Sequence, residues 1–257
     1  MSFKIKPENN ILNYSSTEEI DYKTVTNILE RDHFVCLRGL IDPVLIDESV
    51  QLLKSQFDAK KDRKNYPSND GYFPNFQRLA IGELGSYAKF MRVFFNPLWA
   101  DDIYKMHDHF KTMIKIRNKL YKIDENFAID NITNGLFTGA RIQQYPRGGG
   151  FIVAHKDTNA SKAVDSFCKN SYYQVLLIMS EKGKDYFNGG GFIERKENRI
   201  YYEDVFNKGD IAIYNAYTTH GVCDIDPQED LSLTSLNGRL SAFVTLYESK
   251  PDLSGES

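Results

Sequence analysis

Between residues 135 and 248 the chain breaks into short β-leaning runs separated by glycine-rich turns, a texture that admits few folds. The runs are 137–145, 151–154, 172–180, 191–195, 198–203, 210–215 and 239–248. Turn signals fall between them at Arg147-Gly-Gly-Gly150, Asn188-Gly-Gly-Gly191 and Asn207-Lys-Gly209. Many short strands joined by such turns point to a sandwich or jelly roll. Neither glycine triplet continues to Gly-Lys-Ser/Thr, so neither reads as a phosphate loop. The first reads as a flexible turn and the second as a tight turn or bulge.

Helical signals come first in the chain. Ser16-Thr-Glu-Glu19 fits a capping box, and Ile20, Val25, Ile28 and Leu29 follow at helical spacing, predicting a helix that ends near Arg31. Residues 33–39 read as a short buried strand. Asp42 is a good N-cap with Pro43 behind it, predicting a second helix to about Phe57. Residues 60–82 turn polar, with Tyr66, Tyr72, Phe73 and Phe76 interspersed, and are expected to form a surface excursion able to act as a lid. Residues 87–95 are expected to be helical, Pro97 to break that helix, and 100–122 to form a longer amphipathic one. Trp99, the only tryptophan, is expected in the core. The order makes an α+β protein of one domain over 1–257: helical support at about 16–122 bracing a β-rich core at 135–248.

Composition narrows the function. A formal charge of −3 forces no basic face, so no nucleic-acid partner is expected. Cys36, Cys168 and Cys223 are odd in number and widely spaced, against a disulfide framework or zinc knuckle and in favour of a reducing compartment. The first ten residues have no apolar core of a signal peptide, and no apolar run reaches membrane-spanning length. A cytoplasmic location and a small-molecule substrate are expected, with no membrane partner.

The chemistry concentrates on His155-Lys156-Asp157. In an extended backbone, side chains two apart leave on one face, so an imidazole and a carboxylate can close on a single cation. His220, at the end of a strand launched by Lys208-Gly-Asp210, offers a third ligand. Two His and one carboxylate on one side of a metal leave other positions open, as in non-haem Fe(II) oxygenases. Of the five histidines, His107 and His109 sit in a predicted helix where neighbours point apart, and read as a solvated face; His33 reads as a packed or capping residue. Further on, Arg239 and Ser241 share one face of the last long strand, and a guanidinium with a hydroxyl beside it suits a carboxylate.

The order His155-x-Asp157, His220, Arg239-x-Ser241 resembles the 2-oxoglutarate/Fe(II)-dependent oxygenases of the double-stranded β-helix (jelly-roll, cupin-like) fold. Tyr145, ten residues before His155, and the strand at Gly189-Gly-Gly-Phe192 fit the same pattern over about 137–248. The resemblance implies Fe(II) held by His155, Asp157 and His220, and 2-oxoglutarate held at its distal carboxylate by Arg239 and Ser241 with Tyr145 as helper. It also implies O₂ as oxidant and hydroxylation of a C–H bond in a small polar metabolite: an amino acid, a sugar acid or a natural-product intermediate. Asp157 argues for hydroxylation over halogenation, since similar halogenases have Gly or Ala there, and leaves desaturation and ring formation open. Arg141 and Arg147 are candidates for an anionic group of the substrate. One departure stands out: His220 and Arg239 are nineteen positions apart, more than is usual in the family, and the polar stretch 224–235 reads as a loop insertion. A protein-residue hydroxylase of the same superfamily is the nearest alternative. A zinc hydrolase using the same ligands would have no need of Arg239, and a non-catalytic cupin-like binding protein would give no turnover with iron and 2-oxoglutarate.

Overall fold

Asp21, not Ser16, opens the first helix. Its carboxylate accepts from the backbone N–H groups of Lys23 and Thr24 at 3.1 and 3.2 Å, satisfying two donors that a helix start leaves unpaired. The helix, α1, spans Tyr22–Asp32. The expected capping box at 16–19 is instead a single 3-10 turn, with Glu19 accepting from the Ser15 N–H at 3.0 Å. α2 (Pro43–Gln56) starts as its sequence predicts, Asp42 Oδ1 accepting from Val44 N–H at 2.9 Å. α3 (His107–Leu120) is shorter than the expected 100–122, because the Asp102 carboxylate accepts from the Met106 and His107 N–H groups at 2.8 and 3.1 Å and starts the helix there. This architecture comes from a computed structural model, which describes residues 6–63, 75–82, 87–157, 172–195 and 198–249.

The described strands are β1 (Ile11–Asn13), β2 (Phe34–Arg38), β3 (Gln77–Ile81), β4 (Ala88–Phe95), β5 (Leu136–Pro146), β6 (Gly150–His155), β7 (Tyr173–Ile178), β8 (Gly190–Arg195), β9 (Asn198–Tyr201), β10 (Ile211–Asn215), β11 (His220–Ile225) and β12 (Gly238–Glu248). Hydrogen bonding orders them β1-β2-β10-β7-β12-β5-β4-β6-β11-β8-β9, with β3 on β4. Only β1 and β2 pair in parallel. The ladder turns a corner in β4: Arg92 to Phe95 pair with β5, while Ala88 and Lys89 pair with β6. Phe90, between the two segments, has φ = 58°, a left-handed conformation uncommon for a bulky residue, at the bend.

Alternation explains how one sheet buries both faces. On β7, Val175 and Leu177 join the core that α1 and α3 cover, whereas Leu176 and Ile178 join Ile193 and Ile200 of the facing layer. α3 packs across β7 and β12, and α1 against β2 and β10. The helices therefore brace one side of a β-sandwich whose other side receives β6, β11, β8 and β9, the α+β jelly-roll arrangement expected. No helix among the described residues is long and apolar enough to cross a membrane.

Three expectations need correction. Residues 87–95 are strand β4, not helix: Met91, Val93 and Phe95 go to one apolar cluster and Phe94 to another, a period of two that the apolar run concealed. The excursion at 60–82 ends in strand β3, and Phe76 is buried with its ring stacked on Phe95 at 4.6 Å. Residues 64–74 of that excursion, with Tyr66, Tyr72 and Phe73, lie outside the described residues, as does Cys168. Trp99 is half-buried against Phe137 rather than in the core.

The insertion at 224–235 is built in. Buried Arg92 donates to the Asp62 carboxylate at 2.9 and 2.8 Å, to Gln144 Oε1 at 2.6 Å and to the Leu233 carbonyl at 2.7 Å. Gln144 Nε2 in turn donates to the Ser235 and Asn237 carbonyls, both at 3.1 Å. The loop thus delivers the chain to Gly238, which has φ = 118° and whose missing Cβ would lie 2.3 Å from the Tyr145 carbonyl oxygen. Gly149 has a similar φ of 100° but nothing within 4 Å of its would-be Cβ. Both Gly→Ala changes carry the backbone penalty, and only Gly238→Ala adds a clash with the β5 backbone. Gly238→Ala should cost about 1–3 kcal/mol more than Gly149→Ala in denaturant unfolding; equal losses would show that β12 can shift away from β5.

Candidate metal centre

β6 ends at His155 and β11 begins at His220, and the two residues are directly opposed in the antiparallel ladder. Opposed residues put their side chains on one face, and the two imidazole centroids lie 4.4 Å apart. Asp157, two residues past His155, is held by its own N–H donating to the Ala216 carbonyl at 2.9 Å. Its Oδ1 stands 3.4 Å from His155 Nε2 and its Oδ2 3.7 Å from His220 Nε2. One ligand atom from each of the three residues lies within 4.8 Å of the other two, the only such trio of His, Cys, Asp or Glu among the described residues.

Both rings are turned the same way. His155 Nδ1 faces the Val153 carbonyl at 2.8 Å, and His220 Nδ1 faces the Thr218 carbonyl at 2.9 Å. A carbonyl only accepts, so each Nδ1 carries the proton and each Nε2 lone pair points to the Asp157 side. That donor set, two imidazoles and one carboxylate on one side, fits a divalent transition metal. Burial would lower the His155 pKa, but the Asp157 and Val153 hydrogen bonds and the Asp157 charge outweigh it and raise it. For His220 burial prevails over Asp157 and keeps the pKa low. Burial works against the Asp157 carboxylate, yet His155, His220 and Gln174 hold its pKa below the usual range.

The other histidines stay out of the site. His33 ends α1 with φ = 71°, its N–H donating to the Leu29 carbonyl at 3.0 Å, the capping role expected. His109, expected on a solvated face, is buried in α3.

A cavity of about 240 Å³ opens beside the trio, lined also by Tyr145, Gln174, Arg239 and Arg141. No protein-family model matches the sequence, and no curated protein does. Solved structures do. A prolyl hydroxylase from Trichoplax adhaerens, in complex with a hypoxia inducible factor oxygen degradation domain peptide fragment, matches with a TM-score of 0.53 at 9% identity over 87% of this chain and 88% of that one. A Pseudomonas putida prolyl-4-hydroxylase matches with 0.52 at 12% identity, over 87% and 97%. SnoN, a non-haem α-ketoglutarate-dependent epimerase from nogalamycin biosynthesis, matches with 0.51 at 12% identity, over 88% and 82%. The fold is that of the 2-oxoglutarate/Fe(II) oxygenases.

Within this oxygenase fold, the β5–β12 register sets the cavity wall: Tyr145 opposes Arg239, Gln143 opposes Ser241 and Arg141 opposes Phe243. Arg239 is buried, and its guanidinium lies 5.3 Å from the Tyr145 ring centroid. Burial pushes the Tyr145 hydroxyl up to about 12, so it stays a neutral donor. Ser241 Oγ accepts from Arg239 Nη1 at 3.0 Å.

Sequence reading missed the partner on the other edge of Arg239. Glu203 accepts from Nε at 2.8 and 3.0 Å and from Nη2 at 2.5 Å, and it also accepts from the Tyr186 hydroxyl. It missed Gln174 as well, whose Nε2 donates to Asp157 Oδ2 at 2.9 Å while Thr245 Oγ1 donates to its Oε1 at 3.0 Å. Both signals were available as a polar residue within a β run, Tyr-Gln-Val-Leu at 173–176 and Tyr-Tyr-Glu at 201–203.

Arg147, a candidate for substrate binding, is placed elsewhere. Its Nε donates to buried Asp226 at 2.7 Å and its Nη2 to Glu229 at 3.0 Å, and it does not line the cavity. Asp226 also accepts from the Phe187 and Asn188 N–H groups at 3.0 and 2.6 Å. Arg147 therefore pins the insertion to its neighbours.

Burial opposes ionisation of Glu203, but the Arg239 charge and the hydrogen bonds from Arg239, Tyr186 and the Gly191 N–H hold its pKa below the usual value. A depressed carboxyl pKa contributes stability above its unfolded value, lost as pH falls through the folded one. Glu203→Gln leaves Arg239 buried without its counter-charge, and should cost about 3–5 kcal/mol at neutral pH. The deficit against wild type should shrink as pH falls below about 4. A deficit constant with pH in chemical unfolding would mean that Glu203 is not ionised in the folded protein.

Proposed function

We infer that the protein is a non-haem Fe(II) oxygenase that couples oxidative decarboxylation of 2-oxoglutarate to hydroxylation of a C–H bond in a small polar metabolite. The observation that carries this reading is the convergence of His155, Asp157 and His220 in one cavity with Arg239, both histidines offering Nε2. His155, Asp157 and His220 would hold Fe(II). Bound there, the metal supplies the open positions at which 2-oxoglutarate and O₂ react.

The chain's own residues do the rest. The Val153 and Thr218 carbonyls fix the two tautomers, and Gln174 orients Asp157 by donating to its Oδ2. Arg239, steadied by Glu203 and Ser241, lines the cavity as the seat for the distal carboxylate of 2-oxoglutarate, with the neutral Tyr145 hydroxyl as helper. Tyr214, whose ring lies 4.7 Å from that of His220, adds an aromatic wall to the cavity beside the trio. A small cavity favours a metabolite. A peptide substrate is the second reading, because the matching Trichoplax hydroxylase is in complex with a peptide.

Protein mixed anaerobically with Fe(II) and 2-oxoglutarate should develop a weak visible charge-transfer band. His155→Ala, Asp157→Ala and His220→Ala should each abolish it. Arg239→Ala should raise the 2-oxoglutarate requirement sharply, on the order of 2–5 kcal/mol for a buried charged hydrogen-bonding partner. Normal 2-oxoglutarate binding by Arg239→Ala would overturn the cosubstrate assignment. Zn(II)-dependent hydrolysis with no O₂ uptake would replace the oxygenase reading altogether.

A further inference from the structure

The cavity contains a second buried arginine, Arg141, whose guanidinium makes fewer hydrogen bonds than those of the other buried arginines. Arg92 and Arg239 face the carboxylates of Asp62 and Glu203. Arg117, also buried, donates hydrogen bonds from Nε, Nη1 and Nη2, to Asn118, Thr138 and the Val244 carbonyl. Arg141 is 8% exposed, lines the cavity, and directs its hydrogen bonds from Nη1 alone, to Gly139 O at 3.1 Å and Thr245 Oγ1 at 2.9 Å. No carboxylate among the described residues pairs with it.

Its guanidinium lies 5.1 Å from the Phe243 ring centroid and 5.5 Å from that of Tyr247, so aromatic faces and Thr245 hold it in place without neutralising it. Its Nε and Nη2 have no protein acceptor among the described residues and stay reachable from the cavity, so an anionic group entering there meets free donors of a charged guanidinium.

Position separates this cation from the one at Arg239. Arg141 and Tyr145 are four residues apart on β5, about 13 Å at the usual rise per residue, and Tyr145 is the register partner of Arg239. Arg141 reaches the metal-binding trio from the other end, through Thr245 to Gln174 to Asp157. One short dicarboxylate anchored at the trio and Arg239 leaves Arg141 unmatched.

We propose that Arg141 is the specificity-determining residue for the molecule oxidised, and that this molecule carries a carboxylate that Arg141 receives. The substrate class is then a carboxylic acid small enough for this cavity. The identification of the seat with the substrate rests on the oxygenase reading; the anion seat itself does not.

The test uses metal-free full-length protein and a simple probe pair, benzoate and its neutral isostere benzamide, titrated by calorimetry. Wild type should bind benzoate at least tenfold more tightly than benzamide. Arg141→Gln, which keeps a donor for Thr245, should lose that preference, and Arg141→Lys should regain part of it. Arg141→Gln with Fe(II) and 2-oxoglutarate should still develop the visible band, because the cosubstrate seat is elsewhere. In a metabolite screen read by succinate release, free acids should be turned over and their amides should not.

Equal binding of benzoate and benzamide by wild type would overturn the proposal, as would unchanged benzoate binding by Arg141→Gln. Loss of the band in folded Arg141→Gln would also overturn it, by making Arg141 the cosubstrate arginine. No band in wild type, with benzoate still bound through Arg141, would remove the oxygenase reading and uphold the anion seat.

Discussion

Everything at the centre depends on one cross-strand pairing, His155 opposite His220 in the β6–β11 ladder. Side chains on a strand alternate faces, so a slip of one residue would send one imidazole out of the cavity. The ladder is irregular just beyond the pair: the register shifts between His220 and Val222 and again between Val222 and Ile225. Bulges of this kind re-aim side chains and are common beside active sites. Here they keep the opposed pair at the mouth of the sandwich while Val222 and Ile225 enter an apolar cluster below. Asp157 needs no strand of its own, because its N–H is tied to Ala216 just before β11 begins.

The two cavity arginines show how burial and charge are reconciled differently within a few residues. Arg239 has a permanent internal partner in Glu203, so the fold can hold that guanidinium rigidly with or without a ligand. Such a pair contributes specificity of geometry more than net stability. Arg141 has a hydroxyl, a carbonyl and two aromatic faces, all neutral. The first arrangement suits a constant cosubstrate and the second a selective one. The Thr245 hydroxyl ties Arg141 to the metal-binding trio, since it accepts from Arg141 and donates to the Gln174 that orients Asp157.

Much of this was legible in the sequence where a local rule acts alone. Asp42-Pro43 needs only capping and starts α2 as expected, whereas Asp157 lies past the end of β6 and shares a face with His155 through its N–H bond to Ala216. The seven expected β runs of the second half were legible because turn residues delimit them, but β11 was not: His220, expected to end the strand before it, begins a strand of its own. Residues 87–95 were misread because Phe, Met, Val and Phe satisfy helix and strand periods almost equally over so short a run, and pairing with β5 decides between them. Glu203 could not be assigned to Arg239 from spacing, because the contact crosses between layers of the sandwich. Arg147, close to the cluster in sequence, was drawn away by Asp226, a residue within the insertion that no motif covers.

The most direct test of the account is the location of a bound metal. Crystals soaked in Mn(II), a stand-in for Fe(II), should give one strong anomalous peak between His155 Nε2, His220 Nε2 and the Asp157 carboxylate. A peak elsewhere, or imidazoles that present Nδ1 to the metal, would contradict the central claim.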